Sequence, residues 1–151
     1  MRILLVEDDE DKREQLRIFL SNTDRNEVIE AKSYQSGLKK IIAETFDLIV
    51  LDMTMPTFDV TPTEGGGRPQ PFGGKELLQQ MFRRDIDTKT IVVTQFDQFG
   101  QGDETTTLNE LDKLLFQTFP GNYLGIVPYS VTYSGWKDNF NRKMSSNNLS
   151  I

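Results

Sequence analysis

Ile3-Leu4-Leu5-Val6-Glu7-Asp8, an apolar run that ends on two acids, decides the fold when set beside Leu48-Ile49-Val50-Leu51-Asp52, a second run that ends on a third. Short, continuous apolar runs mark strands buried on both faces of a parallel sheet. If the two strands lie side by side, their carboxyl ends bring Glu7, Asp8 and Asp52 to one edge, where open α/β sheets bind ligands. Carboxylates do not crowd in this way for stability, because like charges raise one another's pKa. A hard divalent cation such as Mg²⁺ relieves the repulsion by accepting oxygen ligands. The pattern predicts a metal site with one carboxylate free to react.

Outward from these runs, strands and amphipathic segments alternate. Arg2 to Val6 is the first strand, followed by a helix from about Asp11 to Leu20 on Leu16, Phe19 and Leu20, with Asp9 or Asp11 as its N-cap. Asn26 to Ala31 suits a second strand, and Ser33 caps a helix through Leu38, Ile41, Ile42 and Ala43. Phe46 to Leu51 is the third strand. Lys75 to Arg84 is a helix on Leu77, Leu78, Met81 and Phe82, and Thr90 to Thr94 is a fourth strand. Thr107 to Thr118 is a helix on Leu108, Leu111, Leu114 and Leu115, and Tyr123 to Val127 is a fifth strand. A last helix carries Trp136, Phe140 and Met144 at spacing four, as core contacts, with Tyr129 and Tyr133 flanking it. Such alternation implies an α/β fold: a doubly wound five-stranded parallel sheet, flavodoxin-like, in the order 2-1-3-4-5, with helices on both faces. In that order strands one and three are neighbours, as the acidic edge requires. The domain spans residues 1–144, and the polar tail 145–151 is expected to fray.

Two segments interrupt the pattern, both at carboxyl ends of strands. Met55 to Gly74 holds four of the six prolines and five of the eleven glycines, and is longer than the ~2–6 residues usual for such a loop. It reads as an inserted loop, flexible and partly disordered. It contains no GxxxxGK[ST] match. The other is Gln95 to Glu104, rich in Gln, Gly and Phe.

The composition excludes several function classes. The net charge is −6 and there is no basic run, so a nucleic-acid surface is not expected. With neither cysteine nor histidine, no disulfide, zinc-thiolate site or Ser-His or Cys-His triad can be built. The longest apolar stretches fall far short of a membrane span, and the first residues lack signal-peptide character, so a cytoplasmic protein is expected.

With these residues in view, the chain resembles the receiver domains of bacterial two-component response regulators. Ile3 to Asp9 matches the family's first strand and acidic pair, and Phe46 to Pro56 matches the phosphoacceptor strand and the Met-Pro after it. Gly74-Lys-Glu-Leu-Leu matches the start of the third helix, and Thr90 to Thr94 the strand that ends on a switch hydroxyl. The resemblance runs from residue 1 to about 144. It implies that Glu7, Asp8, Asp52 and the backbone carbonyl of Thr54 hold Mg²⁺, that Asp52 accepts the phosphoryl group, and that Thr94 bonds the phosphoryl oxygen afterwards. It further implies a histidine kinase or phosphotransfer protein as donor, an unidentified downstream protein as output, and no chemistry beyond Mg-dependent self-phosphorylation and self-dephosphorylation. Since the chain stops soon after its last helix, no output domain is expected.

One departure bears on the mechanism. The family carries a lysine just before a proline at the end of the fifth strand. Here alignment on Pro128 puts Val127 there, and alignment on Tyr123-Leu124 puts Ile126. Either residue is aliphatic, which leaves a substitute cation to be found, with Arg68 in the insertion as a candidate. The resemblance also implies a cis Val127-Pro128 bond. The alternative reading is a pseudo-receiver, a phosphorylation-independent interaction module. A phosphatase of the haloacid dehalogenase type would need an acid at Thr54, and a flavin carrier would need a phosphate-binding loop where this chain has acids.

Overall fold

The computed structural model describes residues 1–100, 102 and 105–151. In chain order the elements are β1 (Arg2–Val6), α1 (Glu10–Leu20), β2 (Glu27–Ala31), α2 (Tyr34–Ala43), β3 (Leu48–Leu51), β4 (Met55–Pro56), β5 (Pro69–Gln70), α3 (Gly73–Arg83), β6 (Lys89–Thr94), β7 (Gln98–Phe99), β8 (Thr106–Thr107), α4 (Leu108–Thr118), β9 (Tyr123–Pro128) and α5 (Gly135–Ser145). The five longer strands form one parallel sheet in the order β2-β1-β3-β6-β9, which is the 2-1-3-4-5 order read from the sequence.

The strand pleat divides the core. Leu4, Val6, Ile49, Leu51 and Val92 pack beneath α2, α3 and α4; Ile3, Leu5, Leu48, Val50 and Val93 pack beneath α1 and α5. Trp136, Phe140 and Met144 are buried as the spacing of four implies, and Phe19 packs at a tilt against Trp136 and edge-on against Phe140, at 5.0 and 5.3 Å between ring centres. Asp9 caps α1, accepting from the amides of Asp11 and Lys12. Ser33 forms a reciprocal capping box with Ser36 at the start of α2.

Several expectations fail at the surface. Ile42, Phe82 and Leu114 sit at the margins of their helical stripes and are exposed, Phe82 by 65%. The tail folds back on the domain. Asn148 takes a left-handed φ of 60°, and the amide of Leu149 donates to Met144 O at 2.9 Å, which closes α5 and lays Leu149 and Ile151 on the core. The Val127-Pro128 bond is not cis, since no cis bond occurs among the described residues. Pro128 continues β9 in register with Thr94, and Tyr129 N–H donates to Thr94 O at 2.8 Å; the chain pairs onward where a sharp turn was expected.

Within the 55–74 insertion, Met55 to Gln70 form a hairpin, and Gly73 and Gly74 begin α3. β4 and β5 pair antiparallel, and Phe58 N–H donates to Gly66 O at 2.9 Å. Gly67 has φ +73°, and a Cβ there would lie 3.0 Å from the Phe58 ring, so the turn requires glycine. The Asp59 carboxylate ties the hairpin to α2, accepting from the hydroxyls of Ser33 (2.6 Å) and Ser36 (2.8 Å). Asp59→Ala is expected to raise limited proteolysis within residues 57–68 severalfold without changing the melting of the sheet; unchanged cleavage would show that the tie does not hold the hairpin. In the segment Gln95 to Glu104, residues 95–100 and 102 are described, with β7 paired to β8, whereas Gln101, Asp103 and Glu104 lie outside the described residues.

Candidate phosphoryl and metal site

β1 and β3 are parallel neighbours with Val6 opposite Leu51, so the residues that follow each strand emerge together. The Asp52 amide donates to Val6 O at 3.2 Å, and the Glu7 amide to Ala31 O at 3.0 Å. Glu7, Asp8 and Asp52 each place a carboxylate oxygen within 4.8 Å of the others. They line an open cleft of about 260 Å³ together with Asp9, Thr54, Met55, Pro56, Pro69, Gln95 and Phe96. Glu7 and Asp52 are buried and Asp8 is exposed. Asp52 Oδ1 accepts from Met53 N–H at 2.7 Å, and Glu7 Oε1 accepts from Asp9 N–H at 3.1 Å.

The Asp52 turn is held from below. Gly74, in the first turn of α3, donates its amide to Met53 O at 2.9 Å. A Cβ on Gly74 would lie 2.7 Å from Asp52 O and 2.8 Å from Leu51 Cδ1, so the helix can approach this closely only as glycine.

Lys12 is the site residue that the sequence reading passes over. It lies in the first turn of α1, is 1% exposed, and carries its ammonium into the middle of the acids. Nζ is 2.6 Å from Glu7 Oε2, 3.1 Å from Asp52 Oδ2 and 2.8 Å from Val93 O. It also sits 5.7 Å from the centre of the Tyr129 ring. A signal was present in the sequence: Lys12, Leu16 and Phe19 fall at i, i+4, i+7, which places the lysine on the buried stripe of α1. Arg13 supports the same loop from outside, donating from one guanidinium nitrogen to Glu7 O at 3.2 Å and Asp8 O at 3.4 Å.

The electrostatics follow from burial and proximity. Burial raises the Glu7 carboxyl, Lys12 opposes this and Asp52 adds to it; the net effect carries Glu7 up to about 8. Asp8 is also raised, by partial burial first and by Asp52 in addition. Burial would lower the Lys12 ammonium, but Asp52 and Glu7 outweigh it, and Lys12 stays charged with its pKa above the ordinary lysine value.

The remaining residues read from the sequence fall as follows. Thr54 lines the cleft, with its hydroxyl donating to Pro71 O at 3.0 Å. Thr94 is fully buried at the end of β6, and its Oγ1 accepts from Phe96 N–H at 3.3 Å. Arg68 is exposed on the hairpin and forms no salt bridge among the described residues, whereas the Lys12 ammonium lies among the acids. Val127 and Ile126 are buried in the two apolar cores. Tyr129 is buried against Trp136, whereas Tyr133 is 72% exposed.

Residues 3–113 match the family model described as the response regulator receiver domain. The chain belongs to that family. Among curated proteins, this receiver is 29% identical over 148 residues to the Detocs response regulatory protein DtcB of Enterobacter cloacae, covering 96% of this chain and 99% of that protein. It is 34% identical over 141 residues to the uncharacterized protein y4jR of Sinorhizobium fredii, covering 91% and 92%. Among solved structures, a CheY-like receiver from Methanospirillum hungatei superposes with a TM-score of 0.62 at 20% identity, covering 97% of this chain and 91% of that one. The response regulator TrrA of Thermotoga maritima, in complex with Mg²⁺-BeF, superposes with a TM-score of 0.57 at 20% identity, covering 94% and 97%. No helix among the described residues is long and apolar enough to cross a membrane.

Proposed function

We propose that this receiver accepts a phosphoryl group on Asp52 from the phosphohistidine of a histidine kinase or phosphotransfer protein, in the cytoplasm, and signals by altered protein binding. The convergence of Glu7, Asp8 and Asp52 within 4.8 Å carries this reading. The Asp52 carboxylate attacks phosphorus, the phosphorus–nitrogen bond of the donor breaks, and the imidazole leaves with the electron pair while an acyl phosphate forms. The donor set fits Mg²⁺. It is all oxygen, Asp8 forms no salt bridge among the described residues, and buried Glu7 Oε2 has no aligned hydrogen bond despite its close ammonium. Glu7, Asp8, Asp52 and the Thr54 carbonyl would hold the ion, which supplies charge neutralisation for the incoming phosphoryl group.

Thr94 supplies the readout. Its hydroxyl now accepts from Phe96 N–H, and turning toward a phosphoryl oxygen releases that amide. Phe96 lies on the rim of the cleft and is 45% exposed, so its loop presents a different surface once released. The aliphatic end of β9 favours a second reading, a phosphorylation-independent interaction module; the ammonium that Lys12 brings to the site weighs against it.

Titration with Mg²⁺ at low salt, followed by amide NMR, is expected to perturb residues 7–9, 52–54 and 95–96. Asp8→Ala is expected to weaken the response by at least about tenfold. A wild-type protein that shows no metal-dependent change would remove the site.

A further inference from the structure

We infer that Lys12 is the cation that contacts the transferred phosphoryl group in this receiver: the ammonium that β9 lacks is delivered from the first turn of α1. The inference rests on the reading that Asp52 carries the phosphoryl group.

The geometry argues against a purely structural role. A lysine in the first turn of a helix opposes the helix dipole, so α1 gains nothing from its charge. Lysine is almost never fully buried unless paired, and Lys12 is among the largest fully buried side chains of the molecule. Buried ion pairs are often matched or bettered in stability by apolar residues, so stability alone is a poor reason to bury this one. Its three partners instead tie the phosphoacceptor, one of the acidic pair and β6 to a single atom.

The placement suits a phosphoryl contact. Nζ lies 3.1 Å from Asp52 Oδ2, on the carboxylate that the phosphoryl group would extend. Val93 O, its third partner, belongs to the residue before Thr94, so the ammonium already touches the strand that carries the switch hydroxyl. Three donors on a flexible four-carbon stem allow one contact to pass from the carboxylate to a phosphoryl oxygen while the Val93 contact is kept. Tyr129 covers the ammonium, and Val127, at the aligned position on β9, is fully buried in the same apolar core as Leu16 of α1. The α1 route is thus the one by which this fold brings a cation to the site.

The test uses the full chain and Lys12→Met, with Lys12→Gln as a second variant in case the first does not fold. Three quantities are read: Mg²⁺ affinity, the yield of acyl phosphate with acetyl phosphate, and the shift of the Phe96 amide on adding beryllofluoride with Mg²⁺. Loss of the competing ammonium is expected to tighten Mg²⁺ binding by about tenfold. Phosphorylation is expected to fall by at least about tenfold in the same variants, because a phosphoryl group carrying nearly two charges loses its cation. The Phe96 response to beryllofluoride is expected to vanish. A folded variant that phosphorylates like the wild type and still shifts Phe96 overturns the role of Lys12 and leaves the phosphoacceptor reading standing. A wild type that takes neither phosphate nor beryllofluoride overturns both.

Discussion

Gly74→Ala is expected to destabilise the receiver by about 2–3 kcal/mol, the upper range for forcing an extra methyl into a packed core. The new Cβ would lie 2.7 Å from Asp52 O and 3.1 Å from Met53 Cα, both backbone atoms that cannot turn aside. Relief must come from moving α3 or the turn after β3, and that turn carries Asp52 and Thr54. The same substitution should therefore weaken Mg²⁺ binding, although Gly74 contributes no side chain. Chemical denaturation checks the stability and a metal titration checks the site. Gly73 offers the control, because a Cβ there would meet the flexible Met55 side chain and a smaller loss is expected.

The second large effect is the stability of Lys12→Met in metal-free buffer, which should fall by about 3 kcal/mol at pH 7. The loss follows from the partners left behind, since the buried Glu7 and Asp52 carboxyl groups lose the ammonium at 2.6 and 3.1 Å, and removing one partner of a buried pair costs about 3–5 kcal/mol. A carboxyl raised on folding binds a proton that the unfolded chain does not. Its contribution is complete below the unfolded value and is lost as pH rises through the folded one. In the wild type that window runs from 4.5 to about 8, and without Lys12 its upper edge moves higher. Up to about pH 8 the two proteins should lose stability in parallel, and the deficit of Lys12→Met should widen as pH rises past about 8, where millimolar Mg²⁺ should reduce it. Thermal melts at several pH values check this; a deficit independent of both pH and Mg²⁺ would mean that the loss is one of packing.

The sequence was legible where one physical requirement dominated. Strands buried on both faces must be apolar throughout, so β1 and β3 stood out, and the acids that ended them had to emerge at one edge. The strand order followed from the alternation of elements, and Asp9 and Ser33 marked helix starts by their capping chemistry. Lys12 was hidden because a charged residue on a helix is normally read as solvated, whereas here two buried acids offset its desolvation. The order in the insertion was hidden because it rests on an aspartate reaching hydroxyls more than twenty residues away. The extended run through Pro128 and the closure of the tail by Asn148 depend on long-range pairing and on a single left-handed residue, neither of which leaves a periodic trace.

The most direct measurement is the intact mass of the protein after incubation with acetyl phosphate and Mg²⁺, alongside Asp52→Asn and a sample in chelator. The account predicts the mass gain of one phosphoryl group in the wild type, labile to mild base and hydroxylamine as an acyl phosphate should be, and no gain in either control. An unmodified wild type, or the same gain in Asp52→Asn, would contradict it.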